Sequence, residues 1–204
     1  MSNTDIIEPG SPAWRIALLF PPQGSWTVHD FLALDAGRLV EFDQGCVDVH
    51  DLPTAEHQRV VQFIYRMLFA YLEATRVGEA FVAPLPVRLW QEKFREPDVV
   101  FVAASRNRFQ DYPDGADLVI EVVSEDPTSR KRDLVDKVID YARAGIQEYW
   151  IIDLLNTEIK VGILYDQHYD FSIYSTGQCA MSKLLPNFDL SVNQTIEASR
   201  GVSN

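Results

Sequence analysis

Residues 118–123 read Leu-Val-Ile-Glu-Val-Val, a strand-like run in which one carboxylate interrupts an otherwise apolar sequence. A run of apolar β-formers at nearly every position is typical of a strand that is buried on both faces of a sheet. Removing an isolated carboxylate from water is costly unless it is paired or bound to a metal. Glu121 therefore lies at a strand end, or pairs with an arginine such as Arg88 or Arg106, or belongs to a functional site.

A second buried run lies shortly before the first and opens on another carboxylate. It reads Pro97-Asp98-Val99-Val100-Phe101-Val102, and a polar segment over 104–114 separates the two runs. Asp98 alone is a typical turn former. Two adjacent buried strands that each carry one acid are more informative, because Mg²⁺ prefers oxygen ligands and binds through one or two carboxylates. We expect the two strands to be sheet neighbours with both carboxylates on the same side.

The surrounding sequence predicts helices that cover this sheet. Thr54 can cap a helix that runs to Thr75, and a second helix is predicted from Ser129 to Ala144, each with apolar residues at three- and four-residue spacing. Further strands are predicted at 38–49 (a pair), 81–90, 148–153, 158–164 and 169–174. This order predicts an α+β fold with one central mixed β-sheet flanked by helices.

The length and composition predict one globular domain over residues 1–204. Hydrophobic residues make up 47% and charged residues 24%, which excludes collagen-like and intrinsically disordered chains. Residues 1–25 are punctuated by prolines and are expected to be a leader segment. Residues 191–204 are polar and are expected to form a frayed tail.

The charge and the absence of targeting signals bear on location and partners. The net charge of −12 gives no long-range attraction to nucleic acid or to anionic lipid. The most apolar stretch, 60–72, contains Gln62 and Arg66 and is too short to span a bilayer, so no membrane association is expected. Cys46 and Cys179 form no disulfide or zinc pattern. A reducing, cytoplasmic setting is the simplest expectation.

Searches for familiar catalytic motifs find no serine-hydrolase, NTPase or zinc-protease pattern. The second predicted helix carries Asp133, Lys137 and Tyr141 on one face, since they are four residues apart. They form either a solvated ion pair or a group in which Lys137 leans toward a metal-bound water and a phosphate, with its pKa lowered by desolvation. Glu56, beside His57 in the first turn of the long helix, either complements the helix dipole or reaches the metal.

These elements, taken in order, resemble a known family. The resemblance rests on Glu96-Pro97-Asp98-Val99-Val100-Phe101-Val102, on Ala116 through Ser124, and on Asp133…Lys137…Tyr141-Ala142…Gly145 through Asp153. Together they are similar to the Uma-two family of restriction-endonuclease-like proteins, part of the PD-(D/E)XK nuclease superfamily. The resemblance covers residues 26–174 and implies a restriction-endonuclease-like α+β fold with a metal site at the edge of the sheet.

The resemblance also implies roles for individual residues. Asp98 matches the acid of the PD element and Glu121 the acid of the (D/E)XK element. Val123 occupies the position at which that element has its lysine. In this family the lysine lies instead on the following helix, at the position that Lys137 matches. The implied catalytic residues are Asp98, Glu121 and Lys137, and the implied Mg²⁺ or Mn²⁺ ligands are Asp98, Glu121 and Glu56.

The implied activity is metal-dependent hydrolysis of DNA, by an endodeoxyribonuclease. The acidic net charge then requires a local basic strip, for which Arg130, Lys131 and Arg132 are the candidates, although a solvated charged loop has the same composition. A homodimer is expected, because a two-fold pair most simply cuts both strands of a symmetric duplex. The alternative is a nuclease-fold module without catalysis that acts in oligomerisation or regulation.

Overall fold

A computed structural model describes residues 20–34, 39–106, 109–123 and 125–201 of the chain. Residues 1–19 of the expected leader lie outside the described residues. Five α-helices and twelve β-strands are assigned within those ranges. Among these helices, none combines the length and the apolar composition that crossing a membrane requires.

A six-stranded mixed sheet forms the centre of the molecule, which confirms the predicted α+β fold with a central mixed sheet. Its strands lie in the order β10-β9-β8-β7-β6-β3, and β7 and β8 are the parallel pair. Their bounds are β3 Gly78–Val82, β6 Val99–Ala103, β7 Leu118–Val123, β8 Glu148–Asp153, β9 Glu158–Tyr165 and β10 His168–Ser175. Strands β6 and β7 are antiparallel neighbours, as expected for the strands that carry the two acids.

Helices cover both faces of this sheet because its strands are apolar on both. The helices are α1 Val28–Leu32, α2 Ala55–Thr75, α3 Pro127–Lys131, α4 Lys137–Arg143 and α5 Val192–Ser199. On one face, residues of α2 such as Ile64 and Leu68 pack against Leu118 and Ile120 of β7. On the other face, Tyr141 of α4 packs with Val119 of β7. Alternate residues of β7 thus enter two separate cores, as the two-residue period of a strand requires.

The predicted helix over 129–144 is interrupted in the structure. Asp126 caps α3, and a π-helical turn over Arg132–Asp136 joins α3 to α4. Such turns occur often at functional sites, because the extra residue changes the direction in which side chains leave the helix. Lys137 is the first residue after this turn.

The structure contains a second sheet that the sequence did not predict. The expectations of one sheet and of a single strand over 81–90 are therefore wrong. Strands β1 Val40–Asp43, β2 Cys46–Val49, β4 Val87–Trp90 and β5 Lys93–Arg95 form a four-stranded antiparallel sheet. The segment with Pro84 and Pro86 separates β3 from β4, because proline cannot donate to a strand ladder. The two strands therefore belong to different sheets.

The polar end of the described chain is ordered, so the prediction of a frayed tail from residue 191 is wrong over 191–201. Strands β11 Cys179–Met181 and β12 Asp189–Ser191 pair, and Ser191 caps α5. Helix α5 packs on α2, where Val192 enters the core beside Val60 and Ile64. A short helix of this kind can be polar overall and still bury one face.

Removing α5 should destabilise the protein. A chain ending at Ser191 exposes the core that Val192 covers, and burial of one such side chain contributes ~2 kcal/mol. We expect a clearly lower midpoint in thermal unfolding than for a chain ending at Gly201, which keeps the whole helix. Equal midpoints for the two chains would show that α5 contributes no packing energy.

Candidate active site

The two acids of the sheet lie at the same end of neighbouring strands. The β6–β7 ladder pairs Val99 with Ile120, and its next step places Asp98 opposite Glu121. Both carboxylates are almost completely buried in the protein. They line one cavity of about 560 Å³, together with Lys137. The structure therefore brings together the three residues that the sequence predicts to be catalytic.

Glu121 is held by the helix that follows its strand. Lys137 Nζ donates to its Oε1 atom at 2.8 Å, and the Tyr141 hydroxyl donates to the same atom at 2.7 Å. The alternative partners are engaged elsewhere, since Arg88 pairs with Asp114 and Arg106 lies 3.5 Å from Asp117. Glu121 thus pairs with a cation, and the four-residue spacing of Lys137 and Tyr141 explains why both reach it.

Lys137 is surrounded by carboxylates. Besides Glu121, its Nζ lies 3.3 Å from Asp133 Oδ1 and 3.4 Å from Oε1 of Glu41 on β1. Burial alone would lower the pKa of Lys137, but these carboxylates outweigh burial and raise that pKa above its ordinary value. The expectation that desolvation lowers this pKa is wrong, because the site supplies more negative charge than the burial penalty can offset. Lys137 is a permanent cation.

Glu41 is a site residue that sequence reasoning missed. It is buried on β1, where its Oε2 atom accepts a hydrogen bond from Arg95 and lies 3.5 Å from His50 Nε2. Burial would raise the pKa of Glu41, but the attraction of Lys137, His50 and Arg95 outweighs burial and lowers it well below its ordinary value. Glu41 therefore connects the second sheet to Lys137 through a charge that persists at neutral pH.

Asp98 is held by the start of α2 and by a strand. Its Oδ2 atom accepts a hydrogen bond from the Val122 amide at 2.8 Å and lies 3.1 Å from His57 Nε2. Burial would raise the pKa of Asp98, but the hydrogen bond and charge of His57 lower it overall. The same contact raises the pKa of His57 against the opposing effect of burial. Asp98 and His57 thus form a buried ion pair.

His57 was not among the predicted site residues, although the sequence carried a signal for it. It lies three and four residues before Val60 and Val61, so it continues the apolar stripe of α2 toward the interior. Glu56 lies about 100° away around the helix and is exposed. Glu56 lines the same cavity as Asp98, whereas His57 makes the contact with that carboxylate.

The predicted basic strip is neutralised by ion pairs. Arg130 makes two hydrogen bonds to Asp153, Lys131 donates to Asp136, and Arg132 donates to Asp133. Arg132 lines the cavity, and the other two residues do not. The structure therefore places one of the three beside the acids, and it surrounds each of them with compensating negative charge.

The two strand-end acids suit a hard cation. Both hydrogen bonds to Glu121 end on Oε1 and both to Asp98 end on Oδ2, so Oε2 and Oδ1 have no hydrogen-bond partner among the described residues. Two carboxylates with free oxygens in an open cavity match the preference of Mg²⁺ for oxygen ligands, with water and substrate completing its shell. Over the described ranges, no group of three or more His, Cys, Asp or Glu side chains is arranged to hold a metal.

Comparison with solved structures defines the class of fold. A crystal structure from Anabaena variabilis, described as a "putative nuclease belonging to DUF820", superposes with a TM-score of 0.71. The match covers 85% of this chain and 99% of that chain, at 17% sequence identity. The chain therefore shares the fold of that protein.

Comparison with family models identifies the family. The model named Uma2, "Putative restriction endonuclease", matches residues 28–193, which is most of the chain. The protein belongs to the Uma2 family, which confirms the resemblance seen in the sequence. Comparison with curated proteins gave no significant match.

The buried acids should make the metal-free protein less stable as the pH rises. Burial raises the pKa of Glu121 to about 8 and that of Glu96, which lines the same cavity, to about 7, from an ordinary value of 4.5. Between pH 4.5 and 8 the folded state therefore holds more protons than the unfolded state, so the free energy of unfolding decreases with pH. The raised pKa of His57 acts in the same direction.

Urea unfolding in EDTA at pH 5, 6, 7 and 8 measures this dependence. Glu121→Gln removes the carboxyl group whose pKa is raised more than that of Glu96. The free energy of unfolding of this variant should therefore decrease less steeply with pH than that of the wild type. A free energy of unfolding that stays level or rises from pH 5 to pH 8 would contradict the assignment of raised pKa values.

Proposed function

We propose that this protein is a Mg²⁺-dependent endonuclease that hydrolyses phosphodiester bonds of DNA, with Mn²⁺ as an alternative ion. The observation that carries the proposal is that Asp98, Glu121 and Lys137 line one cavity. The description of the family, "Putative restriction endonuclease", supports nuclease activity and suggests DNA as the substrate.

In this proposal some residues bind the metal ion, and Lys137 stabilises negative charge at the phosphate. Asp98 and Glu121 would hold the ion through the carboxylate oxygens that accept no hydrogen bond from a described residue, and Glu56, which lines the cavity, would be a further ligand. The bound ion lowers the pKa of a water molecule and offsets negative charge at the phosphate. His57 fixes the orientation of Asp98 through its 3.1 Å contact.

Lys137 acts as a cation in this scheme. Its raised pKa excludes it as the base that takes a proton from water near neutral pH. Its position 2.8 Å from Glu121 lets it orient a nucleophile or stabilise negative charge on the phosphate. This role needs the charge of the side chain and tolerates some change in its shape.

The alternative, a nuclease-fold module without catalysis, has one observation in its favour. Lys137 and Tyr141 already occupy Glu121 Oε1, and Lys137 is held by two further acids. A charge network that is complete without a metal fits a structural role as well. Cleavage experiments distinguish the two functions.

Nicking of supercoiled plasmid DNA tests the proposed activity. We expect nicking by the wild type in Mg²⁺ or Mn²⁺ and none in EDTA. Glu121→Gln keeps the shape of the side chain, removes a metal ligand and should abolish nicking. Lys137→Arg keeps the charge and should retain part of the activity, whereas Lys137→Met should lose roughly 10²–10⁴-fold, the range for groups that assist proton transfer or charge stabilisation.

Two controls make these results interpretable. Glu79→Gln removes an exposed acid on the edge strand β3, where Glu79 pairs with Val102 toward the end of β6 that is away from Asp98, and should nick like the wild type. Lys137→Met leaves Glu121 without a cation, whereas Glu41 keeps Arg95 and Asp133 keeps Arg132. It should cost about 3–5 kcal/mol of stability, so its folding is checked by thermal unfolding. Absence of nicking by the wild type in both ions, or full activity of Glu121→Gln, would contradict the proposed function.

A homodimer is part of the same proposal, because a two-fold pair can cut both strands of a duplex. Four aromatic residues of the C-terminal half are candidates for the interface: Tyr165, Tyr169, Phe171 and Tyr174. Tyr165 is 68% exposed, whereas Tyr169 is buried and donates to the Ile146 carbonyl. Phe171 and Tyr174 pack against the two cores. Tyr165 is therefore the candidate that remains.

Light scattering at micromolar concentration tests the dimer. We expect twice the chain mass of 23.2 kDa for the wild type and a shift toward the monomer for Tyr165→Glu, which places a charge in the interface. Tyr174→Phe, a conservative change in the core, serves as the control. A monomer mass for the wild type would contradict the dimer and would leave single-strand nicking as the activity to be tested.

A further inference from the structure

Most positive charges of the described chain are neutralised within the protein. The chain has 18 Lys and Arg residues against 30 Asp and Glu residues. Arg130, which pairs with Asp153, and Lys131, which pairs with Asp136, are examples of cations that a nearby acid neutralises. A cation that is already paired has less attraction left for a phosphate. Contacts to a nucleic-acid backbone should therefore come from the cations that the protein leaves unpaired.

Three Lys and Arg side chains line the cavity that holds the strand-end acids: Arg132, Lys137 and Arg200. Arg132 pairs with Asp133, and Lys137 lies among Glu121, Asp133 and Glu41. Arg200 is exposed and forms no ion pair with any described residue. It is thus the lining residue whose positive charge is available to a ligand.

Arg200 is held in place by the packing of α5. The helix ends at Ser199, whose side chain donates to the Ile196 carbonyl and whose own carbonyl accepts a hydrogen bond from Arg59 Nη1 at 3.0 Å. Thr195 and Ser199 are buried between α5 and the rest of the protein. This anchoring fixes the position of the backbone at residue 200, at the rim of the cavity.

Arg59 adds a second positive charge, close to the backbone on either side of Arg200. It is exposed on α2, forms no ion pair within the described ranges, and its guanidinium group lies within about 3 Å of where a side chain at Gly201 would begin. The chain therefore passes directly over Arg59 after Arg200.

Four further acids line the cavity near the starts of α2 and α3, and they restrict the direction from which a polyanion can approach. Asp51 and Glu56 line the cavity at the start of α2, and Glu125 and Asp126 line it at the start of α3. These carboxylates repel a phosphate backbone. The end of α5 is the part of the rim where a strand gains attraction.

We propose that Arg200 binds a backbone phosphate of the nucleic-acid strand whose scissile bond lies in the cavity, and that Arg59 reinforces this contact. The inference rests on the proposed function and specifies the path of its substrate, along the end of α5 rather than over α3. A guanidinium group suits this role because its planar donors match two phosphate oxygens. Residues Arg130–Arg132 then contribute little to binding, because their charge is compensated.

Binding of a fluorescein-labelled 20-base-pair duplex, followed by anisotropy in Ca²⁺ buffer at several salt concentrations, tests this inference. We expect Arg200→Gln to weaken binding about tenfold, the typical contribution of a hydrogen bond to a charged group. The slope of log Kd against log salt should decrease by about 1, as for the loss of one phosphate contact. Arg59→Gln should show the same changes to a smaller extent.

Arg66→Gln is the matched control, because it removes an exposed arginine from another position on α2 that likewise forms no ion pair with a described residue. Its affinity and salt slope should equal those of the wild type. An Arg200→Gln protein that folds normally and keeps the wild-type affinity and slope would overturn the inference while leaving plasmid nicking, and thus the proposed function, intact. A wild-type protein that neither binds the duplex nor nicks plasmid would overturn both.

Discussion

One buried lysine holds the functional part of this molecule together. Lys137 lies within 3.4 Å of carboxylates from three different elements: Glu121 of the central sheet, Glu41 of the second sheet and Asp133 of the π-helical turn. Buried charges are tolerated only when they are compensated. Separation from Lys137 would take from Glu121 its one ion pair among the described residues, and would take from Lys137 part of the negative charge that compensates it. This constraint fixes the second sheet and the helix relative to β7.

The site also buries more carboxylates than cations, and this excess of negative charge favours the binding of a metal ion. Glu121 lies near Lys137 but also near other buried acids, and burial raises its pKa to about 8. A divalent cation placed between Asp98 and Glu121 would compensate for their desolvation and their mutual repulsion. The unfavourable free energy of burying the two acids without an ion therefore strengthens the binding of one. His57 contributes by keeping Asp98 ionised and oriented.

The sequence predicted the parts of the site that depend on local patterns. Glu121 in an apolar strand, Asp98 at the start of its neighbour, and the four-residue spacing of Lys137 and Tyr141 each carried their own signal. Glu41 carried none, because it alternates with buried Val40 and Phe42 and so resembles an outward-facing strand residue. It is buried because the second sheet has helical residues on that face, which only tertiary structure reveals. Two further features were missed for the same reason. The sequence favoured Glu56 over His57 as the helix residue that contacts the site, and it favoured a frayed tail where α5 forms, because both features depend on tertiary packing.

Location of a bound ion tests the central claim most directly. Crystals grown with Mn²⁺ and measured at a wavelength where manganese scatters anomalously would show where the ion binds. The account predicts an anomalous peak coordinated by Asp98 Oδ1 and Glu121 Oε2, with Lys137 still in contact with Glu121. Well-ordered crystals in which the acids and Lys137 are unchanged, with no peak between Asp98 and Glu121, would contradict it.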